Sequence, residues 1–282
     1  MTQHFGLIII GDEILSGKRA DKHLPKVIEL LAQRGLSLSY VEYVGDDPAR
    51  ITATLARAFT AARESGDVVF STGGIGATPD DHTRQCAALA LGVELVLHPE
   101  AKALIEERMR DTAIEQGVVF EPHRDDNLHR LNMGVFPVGA QIIPNPYNKI
   151  PGFSCFVECE GKDGQRLGGV HFVPGFPVMA WPMLEWVLDQ HYAFLHQASP
   201  SIEKSVIVPG AIEAVLTPLM LAIEARFIDV KVFSLPSVDH PEFGRHIELG
   251  VKGAPAAVEP AYAALLEGLK VFKLQLGPEL VR

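Results

Sequence analysis

Within its first hundred residues the chain alternates short β-rich apolar runs with longer helical patterns, and no other feature limits its fold as tightly. Phe5–Ile10, Ser39–Val44 and Asp67–Ser71 read as strands. Between them, residues 21–34 place Leu24, Val27, Ile28, Leu30 and Leu31 at helical spacing, with Gly35 as the stop. Residues 48–64 bring Ile51, Leu55 and Phe59 onto one face. A strand that returns through a helix to the next strand pairs with it in parallel, so three strands and two crossovers predict a doubly wound α/β core.

Beyond Ser71 a Gly-rich loop leads into a helix over residues 81–91, and Pro99 opens a more polar helix that runs to about Gln116. Prolines crowd residues 118–152, which predicts loops and short strands there. Phe153–Glu158 and Gly169–Val173 flank the polar stretch EGKDGQRL and read as a hairpin. A helix over residues 181–194 then closes a first domain of residues 1–196. After the linker HQASPS, residues 202–208, 211–226, 230–235, 246–251 and 256–269 read β-α-β-β-α, a second small α+β domain of residues 200–282.

Apolar residues make up 47% and charged residues 21%, with no run of the roughly 20 apolar residues that a membrane span requires. The start MTQHFGLIIIGDEIL has no basic segment before its apolar run and does not fit a secretory signal, so a cytoplasmic protein without a membrane partner is expected. A formal charge of −10 and the lack of any Lys/Arg cluster weigh against nucleic-acid binding. A small anionic ligand would have to be held locally, by backbone N–H groups, one or two basic side chains or a bridging metal. Cys86, Cys155 and Cys159 form neither a disulfide framework nor a four-ligand zinc set and read as reduced thiols.

A polar loop follows each of the three strands, and in an open α/β sheet ligands bind beyond the carboxyl ends of the strands. The strongest is TGGIGATPDDHT, Thr72 to Thr83. There Gly73, Gly74 and Gly76 allow close backbone approach, and the helix start behind them offers free N–H groups to an anion. Asp80 and Asp81 are candidates for holding Mg²⁺ between protein and phosphate; the plain alternative is a turn in which one of them caps the helix. In GDEILSG, Gly11 suits a tight turn, and Asp12 or Glu13 suits a ribose hydroxyl or a pterin amino group. VGDD brings Asp46 and Asp47 to the same edge, where an Asp before Pro48 is also an ordinary way to begin a helix. His82, beside Asp81, is either an acid–base group or solvent-facing.

GDEILSGK paired with TGGIGATPDD about sixty residues later resembles the MogA/MoaB molybdopterin-binding family, in the branch found at the amino end of CinA-like proteins. FPVGAQIIPN, Gly152 and VPGFP are similar to that branch too, so the resemblance spans about residues 4–190. The unit after residue 200 resembles the extra domain of some CinA-like proteins. The resemblance implies a three-layer, mostly parallel α/β fold that binds molybdopterin or its adenylylated form at the Gly-rich edge. In CinA-like members it implies hydrolysis of ADP-ribose with a divalent metal. It puts the family's acidic position on Asp46 and its metal-linked carboxylate on Asp81, and these two are the candidate catalytic residues. Thr72, Gly73, Gly74 and Gly76 fall on the loop that grips phosphate or pterin, and Asn145, Gly152, Pro174 and Gly175 on two further loops. A homo-oligomer, dimer or trimer, is implied as well.

The sequence departs from that family where PN-x-T-G-x-A-P-G is usual: PNPYNKIPG puts Tyr147, Asn148 and Lys149 in place of a small Thr-Gly pair. Lys149 then either clamps a phosphate or fills the pocket. The deamidase domain that CinA proteins usually carry is expected to be absent from 282 residues. The functions compatible with these features are a metal-dependent phosphoanhydride hydrolase, a pterin- or nucleotide-binding module without turnover, and an adenylyltransferase of molybdenum-cofactor synthesis.

Overall fold

A computed structural model describes residues 3–159, 167–196 and 202–282. Strand β1 (Phe5–Ile10) is buried along its whole length, as a central parallel strand covered on both faces must be. A one-turn helix α1 (Asp12–Leu15) follows, closed by the Ile14 N–H donating to the Gly11 carbonyl at 3.2 Å. Then come α2 (His23–Ala32), β2 (Leu38–Val44), α3 (Pro48–Ser65) and β3 (Val68–Thr72). Helix α3 is fixed at both ends by its sequence. Asp47 accepts from the Arg50 N–H at 2.8 Å ahead of Pro48, and Gly66 ends the helix in the left-handed conformation, φ 74°.

The chain continues through α4 (Thr83–Leu91), β4 (Leu95–Leu97), α5 (Pro99–Glu115), α6 (Asp125–Leu131), β5 (Val135–Pro137) and β6 (Gln141–Ile143). β7 (Gly152–Glu158), β8 (Leu167–Val173) and α7 (Pro177–His191) complete this part. Three expectations need correction. Helix α4 starts at Thr83, because the Asp81 carboxylate turns back onto Thr78 and does not cap the helix. Residues 118–152 hold α6 as well as short strands; its first turn carries Asp125 and Asp126, which suit the positive end of the helix dipole. Helix α7 begins at Pro177, a favoured first position, and stops at His191. Residues 160–166 of the EGKDGQRL stretch and residues 197–201 of the linker lie outside the described residues.

The main sheet has the order β2-β1-β3-β8-β7-β6. β2, β1, β3 and β8 run parallel, while β7 is antiparallel to both its neighbours. β4 and β5 form a separate two-stranded ribbon. The period-2 alternation of β1 distributes the core. Phe5, Leu7 and Ile9 pack with Val27, Leu30 and Leu31 of α2 and Leu184 and Val187 of α7. Ile8 and Ile10 pack on the opposite face with Ile51, Leu55 and Phe59 of α3 and Ala87 of α4. The result is a three-layer, mostly parallel α/β fold. Phe153 of β7 stacks on Phe172 of β8 at 4.4 Å and on Phe136 at 4.6 Å, so an aromatic ladder carries the antiparallel strand. His171 lies fully buried between Ser154 and Tyr192, 2.8 Å from each hydroxyl, and burial pushes its pKa down to about 3. It is a neutral core group.

The chain folds as two compact units, with the change after His196. The second contains β9 (Ile202–Pro209), α8 (Glu213–Arg226), β10 (Val230–His240), β11 (Gly244–Gly253), α9 (Pro255–Leu269) and β12 (Glu279–Val281). Its antiparallel sheet has the order β10-β11-β9-β12, so a short fourth strand joins the expected β-α-β-β-α pattern. Val206, Val208, Leu249 and Val251 of the sheet pack against Leu216, Val258 and Leu265 of the helices. Among the described residues no helix is long and apolar enough to cross a membrane.

Because each unit has its own core cluster, a polypeptide of residues 1–196 should unfold in urea as one cooperative transition. Aggregation, or a non-cooperative melt, would show that the second unit is needed to cover the first. Gly152 offers a sharper test of packing, since a Cβ there would collide with the Phe172 carbonyl oxygen across the β7–β8 pair. Gly152→Ala should cost about 1–3 kcal/mol in the same urea experiment.

Candidate functional site

The parallel register puts the carboxyl ends of β1, β2, β3 and β8 on one sheet edge. Two reversals through β7 bring β6 back to the same direction, and Ile143 pairs with Gly152, so the 144–151 loop returns to that edge as well. Over it lies a cavity of about 410 Å³ lined by Gly11, Glu13, Asp46, Gly73, Gly74, Gly76, Asp80, Asp81, Pro174 and Gly175, together with Arg19, Ala77, Thr78 and Phe176. Ten of the positions expected from sequence are therefore brought together in one place.

The glycine loop is built from its carbonyls. Thr83 donates its N–H to the Gly74 carbonyl at 3.0 Å and its hydroxyl to the Gly73 carbonyl at 3.1 Å. The buried Arg84 guanidinium donates to the Gly76 carbonyl at 2.6 Å and to the Asn132 carbonyl. Gly73 and Gly74 hold positive φ of 97° and 68°, and a side chain on Gly73 would run into the Ile10 carbonyl. With the carbonyls tied to the first turn of α4, the amides of Gly74, Ile75, Gly76 and Ala77 donate to no group among the described residues. Such a run of free amides binds anions.

Opposite them stand carboxylates. Asp12 and Asp46 clamp two loops reciprocally: the Asp12 N–H donates to Asp46 Oδ2 at 2.8 Å and the Asp46 N–H to Asp12 Oδ1 at 3.2 Å. Asp12 is thus a bridging residue beside the cavity, while Asp46 lines it. Burial raises the Asp46 pKa against the Asp12 N–H, and the charges of Asp12, Glu13 and Asp80 push it the same way as burial. Asp81 Oδ2 accepts from the Thr78 N–H at 2.8 Å and from its hydroxyl at 2.6 Å. Among the described residues no three His, Cys, Asp or Glu side chains converge as a ready metal cage. Mg²⁺ asks for less, one or two carboxylates with phosphate and water completing its shell. Hard carboxylate oxygens that repel one another, as those around Asp46 do, suit a cation of that kind.

Other expected positions play supporting parts. Thr72 is buried at the end of β3 beside the cavity. Asn145, 3% exposed, organises its loop by accepting from the Tyr147 N–H at 3.0 Å and donating to the Ile150 carbonyl at 2.9 Å. Gly152 permits the strand contact described above. Lys149 neither clamps the site nor fills it: its ammonium pairs with Glu107 at 2.7 Å and Asp111 at 2.6 Å on α5. His82 lines a neighbouring cavity with Asp81, and Asp47 serves as the α3 cap. Sequence reasoning missed Thr83, Arg84, Arg19 and Phe176. Thr83 and Arg84 directly follow the TPDDH stretch, whose glycine carbonyls needed donors; Arg19, whose guanidinium lies 6.0 Å from the Phe176 ring, closely follows GDEILSG.

The family described as "Probable molybdopterin binding domain" matches residues 6–197. A CinA-like protein of Anaeromyxobacter sp. (strain Fw109-5) is 31% identical over 204 residues, covering 71% of this chain and 44% of its own. A protein of Pyrobaculum calidifontis is 28% identical over 270 residues, 94% of this chain and 95% of its own. The crystal structure of the protein CinA with unknown function from Thermoplasma acidophilum shares the fold, with a TM-score of 0.52 and 24% identity over 66% of this chain and 98% of that one. The chain spans less than half the length of the CinA-like relative it matches. With two thirds of its length matched and the glycine loop at the sheet edge, the chain belongs to the molybdopterin-binding-domain family of CinA-like and MogA/MoaB proteins.

Proposed function

We propose that the sheet-edge cavity binds the phosphate-bearing part of a pterin or nucleotide together with a divalent metal, and hydrolyses a phosphoanhydride there. The observation that carries this reading is the row of free amides, Gly74 to Ala77, facing Asp46, Asp80 and Asp81 across one cavity. Amides attract a phosphate that the carboxylates repel, and a cation between them reconciles the two. Asp80 and Asp81 would hold Mg²⁺, which supplies Lewis acidity toward phosphate oxygens when bound. Asp46, with its raised pKa, is suited to take a proton from an attacking water. The water oxygen bonds to phosphorus, the bridging P–O bond breaks, and ADP-ribose would yield AMP and ribose 5-phosphate. Binding without turnover is the second reading, favoured by the engagement of Asp81 Oδ2 with Thr78.

Incubation with Mg²⁺ and ADP-ribose, followed by chromatography and paired with a thermal melt, separates the two. Product that disappears with a chelator supports hydrolysis, and stabilisation without product supports the binding module. Neither product nor stabilisation with ADP-ribose, nor stabilisation with a phosphorylated pterin, would overturn both.

Asp46→Asn keeps an oxygen to accept from the Asp12 N–H but removes the charge. It should lower metal-dependent turnover about 100-fold or more if Asp46 is the proton acceptor. The folded state disfavours the Asp46 carboxylate, so at neutral pH the ligand-free variant should melt above the parent. That gap should close as pH falls through the raised pKa, where the parent's carboxyl is protonated too.

A further inference from the structure

Beside the glycine-loop cavity lies a second one of about 330 Å³, and Ile10, Glu13, Arg19, Gly175 and Phe176 line both. Its remaining wall includes Ile9, Ile14 and Pro177, and two polar side chains that the site has not yet used, His23 and Thr72. His23 is 4% exposed and its Nε2 lies 3.0 Å from the Gly175 carbonyl oxygen. A carbonyl can only accept, so Nε2 carries the hydrogen, and burial lowers the His23 pKa and keeps the ring neutral. Nδ1 is then a bare acceptor, and it has no partner. Thr72 is 1% exposed, and its hydroxyl has no partner either. Buried polar atoms are nearly always hydrogen-bonded, and here two that are not line the same cavity.

We propose that this second cavity seats the amino-bearing edge of a fused nitrogen heterocycle, with His23 Nδ1 accepting from the exocyclic amino group and the Thr72 hydroxyl donating to the adjacent ring nitrogen. The phosphate of the same molecule occupies the glycine-loop cavity, so the inference rests on the reading above. The chemistry is specific. A neutral His23 held by Gly175 rejects an oxo group at that position, because acceptor would face acceptor. Ile9, Ile14, Phe176 and Pro177 give the ring apolar surroundings. An adenine nucleotide and a phosphorylated pterin both carry an amino group next to a ring nitrogen, and either source satisfies the pair.

The test is calorimetric titration of the full chain with Mg²⁺ present, using AMP, purine riboside 5′-monophosphate, ribose 5-phosphate and 6-(phosphooxymethyl)pterin. Purine riboside 5′-monophosphate is AMP without its amino group. If the ring is adenine, AMP should bind about 3- to 10-fold tighter than purine riboside 5′-monophosphate, the worth of one hydrogen bond. If it is a pterin, the phosphopterin should exceed ribose 5-phosphate by at least that factor while AMP does not. Thr72→Val should weaken the preferred probe about 3- to 10-fold, leave ribose 5-phosphate unchanged, and not lower the melting temperature, since the lost hydroxyl had no partner. Equal affinity for all four probes overturns the ring site and leaves the phosphate site standing. No binding by any probe overturns both. Equal loss for every probe in Thr72→Val would make Thr72 structural and also sink the proposal. The ligand series uses the unaltered chain, so it decides the matter even if the variant fails to fold.

Discussion

The site depends on how the carbonyls between β3 and α4 are held. Thr83 and Arg84 occupy the Gly73, Gly74 and Gly76 oxygens, so the loop's hydrogen-bonding capacity toward the helix is used up while its amides stay free. Only residues without a Cβ tolerate the positive φ and the proximity of the Ile10 carbonyl that this arrangement imposes. The parallel sheet supplies the rest. It aligns the ends of β1, β2 and β8 beside that loop, so the other loops need only be short to arrive at the same point.

The acidic side of the cavity follows a similar economy. Asp47 is consumed as a helix cap, which leaves Asp46 to pair with the backbone of Asp12 and to tie the first two strand-end loops to each other. The clamp brings Asp46 near Glu13 and Asp80, and burial with those charges makes its ionisation unfavourable. One small arrangement thus sets both the position and the protonation of a carboxylate.

The core of the first unit was legible in the sequence because its strands are short, apolar and separated by amphipathic helices with clear stops such as Gly35 and Gly66. Three loops could be assigned to one edge from topology alone. What escaped has physical reasons. α1 is a single turn and carries no periodicity. α6 sits among prolines that mask it. β12 is three residues long and exists only through its pairing with β9. The division of labour among neighbouring acids was also hidden: Asp46 and Asp47 look alike in sequence, and only the fold shows that one caps and the other clamps. Lys149 looked like a phosphate ligand until its ion pairs with Glu107 and Asp111 on α5 were seen.

The burial of Arg84 has a consequence for how the protein meets its surroundings. The chain carries a net charge of −10, yet a permanent positive charge lies immediately behind the loop that offers its amides. A charge enclosed by protein is shielded far less by dissolved ions than one on a surface lysine, whose influence fades within about 8 Å at physiological ionic strength. The attraction this loop exerts on an anion is therefore built to persist in a salty medium, independent of the repulsive field of the surface around it.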